Sequence, residues 1–438
     1  MTIIIFPRSG IALTSILTSV TLGLSGCQTL PDVASATEQP SDCETGNVSA
    51  NCLLHSAASA FSEIDNDAHW INAAAEYAVA LHVNGEDQVA RKYLEQAAEK
   101  VKLLDGVQSQ ISAAAEVGKS AAEAGQDDIA SGLMDWGESQ AEKLEENAKK
   151  YDLLGKLASV RAAIGEAGLA LSKVQAFPET SDNHSSFKAR TYREIAVHQA
   201  KAGNFDAAEE TIARMTMGLT YYQSTARSDV ALLALEVGDQ KRAMKLTREA
   251  DVIARAQDNG YFFAGALRDI GVVYARAGEK DKASQFFEDA KAGARTGNSN
   301  QERARALSRI ATSLADIKLY TDTGAIFAEA LTFAKQAKSP LFENFCNYEI
   351  AGSAAFAGEF DTANGLAAIL PETKFGSTSS LRAVTQRDIA WGLAKHGRLK
   401  DAHQLIQTIS PARERIMAIS RVVRLLKYPD MEAFPRYL

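Results

Sequence analysis

Side chains able to do acid–base, nucleophilic or metal chemistry are few in this sequence and poorly spaced for it. The seven histidines are His55, His69, His82, His184, His198, His396 and His403. None forms a His-Glu-x-x-His pair or another tight ligand spacing. His396 and His403 are interrupted by Gly397, a turn residue. No glycine-rich loop leads into a Lys-Ser or Lys-Thr, and no Gly-x-Ser-x-Gly elbow presents a nucleophile. The carboxylate neighbours Asp127-Asp128 and Glu145-Glu146 read as solvated helix faces or turns. The sequence therefore predicts no catalytic residue, no metal, no cofactor and no enzymatic activity.

Four cysteines in 438 residues exclude a disulfide-dense scaffold. The one with an obvious chemical setting is Cys27. It closes Leu24-Ser25-Gly26-Cys27, after Arg8 and a mostly apolar stretch from Gly10 to Leu24. That stretch is too short to span a bilayer, which needs about 20 helical residues, and has the length of a cleaved signal. The four residues resemble the lipobox of bacterial lipoproteins. The resemblance implies diacylglycerol on the Cys27 thiol, cleavage before it, and, with Gln28 next, sorting to the outer membrane facing the periplasm. The residues ahead of Arg8 depart from the family's basic start.

Residues 27–52, rich in Ser, Thr, Pro, Asp and Glu, read as a flexible linker behind the 1–26 signal peptide. Cys43 and Cys52 stand nine apart at its end and could close a short disulfide loop in an oxidising compartment; two free thiols is the alternative. Cys346, inside an apolar helical pattern, reads as a core residue.

The elements that carry these residues repeat. A glycine followed five residues later by alanine occurs at Gly85/Ala90, Gly125/Ala130, Gly165/Ala170, Gly203/Ala208, Gly238/Ala243, Gly278/Ala283, Gly358/Ala363 and Gly397/Ala402, with Lys318/Thr323 in the vacant slot. The steps are 40, 40, 38, 35, 40, 40, 40 and 39 residues. Eight residues before each slot stands an apolar residue (Tyr77, Val117, Leu157, Ile195, Val230, Ile270, Ile310, Ile350 and Ile389), and a Gly or Ala follows each. The small residue lets a first helix nest on its neighbour, the glycine turns the chain, and the alanine sits where the second helix crosses. A single hairpin has too little interior, so stacking must supply the core.

Leu267 through Tyr274 with Gly278, Ala283, Phe287 and Ala290 resembles the tetratricopeptide repeat. The departure is unit length, 35–40 residues against about 34, which longer connections at 178–186, 297–302 and 371–380 could absorb. The expected fold is an all-α, right-handed solenoid of about nine helix-turn-helix repeats with a closing C-terminal helix, Ala412–Lys427, whose arginines lie outward.

Forty-seven basic and 55 acidic residues leave a net charge of −8, against nucleic-acid binding. Residues 53–178, repeats one to three, hold 11 basic and 20 acidic residues; residues 179–438, repeats four to nine and the capping helix, hold 35 and 31. Positions 13, 10, 6 and 3 before each slot form a second face of the first helices. The resemblance implies that such positions line a groove for partner peptides. Here they include Arg190, Arg193, Arg268, Arg305, Phe345, Tyr348, Arg387 and Trp391. Arginine forks beside aromatics suit acidic segments; alternatively, the arginines pair internally with Glu194, Asp269 and Asp388. The function expected is a lipid-anchored scaffold for envelope proteins or peptides, in envelope assembly or maintenance. The alternative is a regulator of, or an enzyme on, peptidoglycan or other envelope glycans, against which stands the scatter of Trp70, Trp136 and Trp391.

Overall fold

A computed structural model describes residues 48–178, 182–215, 220–319, 323–372 and 380–428. Cys27 and Cys43 lie outside the described residues. The described residues contain 20 helices and belong to one compact unit. Helix α1 (Ala50–Ala60) opens it, starting inside the stretch read as linker, with Ser49 Oγ capping Cys52 N–H. Hairpins follow: α2 (Asp67–Val83) with α3 (Asp87–Leu103), α4 (Val107–Glu123) with α5 (Asp127–Ala141), and α6 (Ala148–Ala163) with α7 (Ala167–Gln175). Next come α8 (Asp182–Lys201) with α9 (Phe205–Ala213), α10 (Thr220–Glu236) with α11 (Gln240–Ala254), and α12 (Gly260–Arg276) with α13 (Lys280–Arg295). The last hairpins are α14 (Asn300–Asp316) with α15 (Gly324–Lys335), α16 (Pro340–Ala357) with α17 (Phe360–Ile369), and α18 (Leu381–Lys395) with α19 (Leu399–Thr408). Helix α20 (Ala412–Lys427) ends the described chain of helices.

The repeat register is visible in the backbone. All eight slot glycines have positive φ, and so does Lys318, at φ 52°. At the α12–α13 turn Gly278 N–H donates to Ala275 O at 3.0 Å and Glu279 N–H to Tyr274 O at 2.9 Å, the pair of hydrogen bonds that ends a helix through a left-handed residue. Lys318 and Leu319 repeat the pattern to Ala315 and Leu314. The small column does what its size implies: a Cβ on Gly271 would stand 3.0 Å from the Phe287 ring, which fills that space instead.

The even-numbered helices form an inner layer in which each packs on the next, from α2 to α20. The finding that the sequence did not predict is at the ends. Helix α20 packs on α2, closing the layer into a ring of ten inner helices, and the outer partner of α20 is α1 rather than α19. The tenth hairpin is thus built from both ends of the helical unit. Leu53, Leu54 and Phe61 share one continuous core with Ile416, Ile419, Val422 and Val423. Tyr77 donates its hydroxyl to Leu54 O at 3.0 Å within it. Each such Leu or Ile side chain contributes about 1.5–3 kcal/mol on burial, so the seam is held as firmly as an internal joint. The closing helix is therefore no polar cap, and its arginines do not lie outward: Arg421 and Arg424 are engaged by Asp388, Glu76 and Glu123 of inner helices.

Candidate interaction surface on the inner layer

Every residue expected to line the groove lies on an inner helix, but the arginines are occupied. Arg193 is 4% exposed and donates through Nε to Asp229 Oδ2 at 2.7 Å. Arg268 is held by Asp269 at 2.7 Å and Arg387 by Asp388 at 3.0 Å and Glu414 at 2.8 Å, all buried. Arg190 pairs with Asp152 at 2.5 Å and Arg305 with Glu349 at 2.6 Å. Asp269 and Asp388 are thus internal partners as the alternative had it, whereas Arg193 takes Asp229 rather than Glu194. Phe345 and Tyr348 are half-buried. Trp391 is buried edge-on to Phe356 at 4.6 Å, with the Arg421 guanidinium 5.2 Å from its ring centre. Breaking such a buried pair to admit an acidic ligand costs more than the exposed contact that replaces it.

Burial opposes the charge on Arg387, yet Asp388 and Glu414 outweigh it and its pKa stands above the ordinary guanidinium value. Burial also works against the Glu76 carboxylate, but Arg421, Arg424, Lys119 and Arg387 together bring its pKa down. His198 is neutral: burial, then Lys201 and Lys119, push its pKa down to about 4. Cys346 is a buried free thiol pushed up to about 11, chiefly by burial. Cys52 is disulfide-bonded.

Toward the glycine turns, ion pairs join inner helices, some of them not neighbours. Arg424 of α20 reaches Glu76 of α2 at 3.4 Å and Glu123 of α4 at 3.0 Å. Lys395 of α18 passes α16 to reach Asp316 of α14 at 2.6 Å, where Arg276 also binds at 3.2 Å. At the opposite end of the inner layer, aromatic and apolar side chains begin three of its helices. Tyr221 and Tyr222 begin α10, Tyr261 and Phe262 begin α12, and Leu341 and Phe342 begin α16. Phe262 is 39% exposed and Leu341 and Phe342 each 42%. The rings of Tyr221 and Phe262 lie 5.0 Å apart, and those of Tyr261 and Phe262 5.5 Å. Beside them a cleft is lined by Tyr221, Tyr261, Gly265, Arg268 and Arg309.

The sequence reading missed this arc because it weighed tryptophans and the positions 13 to 3 before each slot. The signal was present: Phe187, Tyr222, Phe262 and Phe342 all stand 16 residues before their slots. Among the described residues no group of three His, Cys, Asp or Glu side chains could hold a metal, and no helix is long and apolar enough to cross a membrane.

The chain matches no family model and no curated protein. Solved structures similar to it include Ton1535 from Thermococcus onnurineus NA1, at 17% identity and a TM-score of 0.28, covering 78% of this chain and 98% of that one. A monomeric IFIT1 mutant with Gppp-AAAA is similar at 15% identity and a TM-score of 0.31, covering 84% and 82%. A circular tandem repeat protein with novel repeat topology is similar at 13% identity and a TM-score of 0.22, covering 89% and 97%. At such scores the architecture rests on the chain's own geometry.

Proposed function

We propose that this protein is a lipid-anchored, non-enzymatic scaffold of the periplasmic face of the outer membrane, which holds protein partners on the aromatic arc of its helical ring. The observation that carries the binding part is that arc. Phe262, Leu341 and Phe342 keep about two-fifths of their surface in water, at equivalent ends of inner helices. Aromatic side chains are enriched in the anchoring cores of protein interfaces. All inner helices start at this end, so their dipoles favour acidic groups on the partner. That keeps the preference for acidic segments while moving the contact from the buried arginine slot to the arc.

The anchor rests on Cys27 and its surrounding residues. A lipid-modified end would hold the ring at the membrane, where partners of envelope assembly or maintenance are recruited. Two variants test the two parts. Cys27→Ala should abolish fatty-acid labelling and release the protein from the membrane fraction or leave an uncleaved precursor. Phe262→Ser with Phe342→Ser should lose the partners captured from solubilised envelope by the wild type while helicity is kept. Capture of the same partners by the double variant would refute the arc.

A further inference from the structure

The cleft beside the arc gathers hydrogen-bond donors. Its wall includes Tyr221 of α10, Tyr261, Gly265 and Arg268 of α12, and Arg309 of α14, and it has room for about one water molecule. Tyr221, Tyr261, Gly265 and Arg309 are each half-buried, so the cleft meets solvent between them. A Cβ on Gly265 would stand 3.2 Å from Tyr221 Cε2 and 3.6 Å from Tyr221 Oη, which puts that hydroxyl at the wall. Burial, followed by the nearby Asp269 charge, raises the Tyr221 hydroxyl pKa, so it stays a protonated donor. Tyr261 Oη accepts from Arg309 Nη1 at 3.1 Å, which turns its own proton elsewhere. Arg309 makes no other hydrogen bond among the described residues and pairs with no carboxylate there. Arg268 gives Nε and Nη2 to Asp269 Oδ1 and keeps Nη1 uncommitted.

Two guanidiniums and two phenols therefore line the cleft, and no carboxylate does. Asp269 balances the charge of Arg268, while that of Arg309 is left over. The carbonyls of Ala264, Gly265 and Ala306 lie inside α12 and α14, where the helix already uses them. A water in this space could accept from the donors, but would find no free acceptor for its own protons. A carboxylate, with three heavy atoms, exceeds the space. A halide ion is a single atom that takes several donors at once, has no proton to place and carries the missing charge. We infer that the cleft between α10, α12 and α14 is a site for one monatomic anion, chloride, held by Arg309, Arg268 and the hydroxyls of Tyr221 and Tyr261.

The inference stands apart from partner capture, which is read at Phe262 and Phe342. It is tested on the full chain by chloride NMR at fixed ionic strength, where bound chloride broadens the line of the free ion. Bromide fits the same space and should compete, removing part of that broadening; gluconate is too large and should not. Arg309→Gln should reduce the bromide-sensitive part at least several-fold. Gly265→Ala should do the same by a different route, since it keeps every donor and only fills the space with a methyl group. Alanine is also the better helix former, so lost helix cannot imitate its effect. If bromide and gluconate act alike, or if both variants keep the bromide-sensitive broadening, the cleft holds no anion.

Discussion

Truncating Leu54 to alanine probes the joint that the ring depends on. Leu54 lies in α1, only 1% exposed, in the core shared with α20. Removing its branched end leaves a cavity between two helices from opposite ends of the unit. Comparable buried truncations cost about 2–5 kcal/mol, and the low half of that range applies if the short α1 can settle into the gap. Its carbonyl also accepts the Tyr77 hydroxyl, so Tyr77→Phe should cost about 1 kcal/mol by a separate route. In an open solenoid a terminal defect frays the end and spares the rest, because stability sums over nearest neighbours. In a ring α1 has no free end to fray toward. Loss of its packing leaves α20 with one face uncovered, and every hairpin is then closer to an end. Hydrogen exchange read by mass spectrometry should therefore show faster exchange in α9–α11, across the ring, as well as at the seam. Urea unfolding followed at Trp70 and Trp391 should shift together. Faster exchange confined to α1, with α9–α11 unchanged, is the behaviour of an open solenoid and would rule out a closed ring.

Other consequences are narrower. His198 has its pKa held at about 4, below the unfolded value near 6.5, so the unfolded chain binds more protons in between. Stability should fall as pH drops from about 6.5 to 4, by up to roughly 3 kcal/mol; pH-dependent urea titrations should show this slope flattened in His198→Gln. Lys318 occupies a left-handed turn at φ 52°, and Lys318→Gly should raise stability by about 0.5–1 kcal/mol, measured as a higher denaturation midpoint. Gly271→Val should press on Phe287 and cost about 1–3 kcal/mol with helix content kept, as thermal melts followed by circular dichroism would report.

Much of the hairpin architecture was legible because packing at a helix crossing restricts residue size. The apolar-small pair marks every inner helix from α2 to α18 and the turn glycine all of them but α14, where Lys318 adopts the glycine conformation. Closure was hidden because it pairs helices more than 300 residues apart, and periodicity along a chain carries no signal for contact between its ends. One trace of it existed. Ile419 and Ser420, both fully buried, repeat the apolar-small pair in α20, which makes that helix a tenth inner member rather than a cap. The arginine slot illustrates the opposite error. A shared register showed that Arg193, Arg268 and Arg387 face alike, but not whether the carboxylates that neutralise them come from a partner or from Asp229, Asp269, Asp388 and Glu414. The aromatics were readable at 16 residues before the slot, and went unread because single aromatics at helix starts look ordinary until the fold sets Tyr221 and Tyr222 beside Phe262.

Closure requires the first and last described helices to meet, and a distance between them decides it. Arg415 of α20 pairs with Glu63, just after α1, at 2.5 Å. Spin labels on Glu63→Cys and Arg415→Cys leave Cys52, disulfide-bonded, and Cys346, buried, out of the chemistry. Double electron–electron resonance should then return a single short, narrow distance, as for neighbouring residues on packed helices. A long or broad distribution, as expected from the two ends of an open solenoid, would contradict the ring.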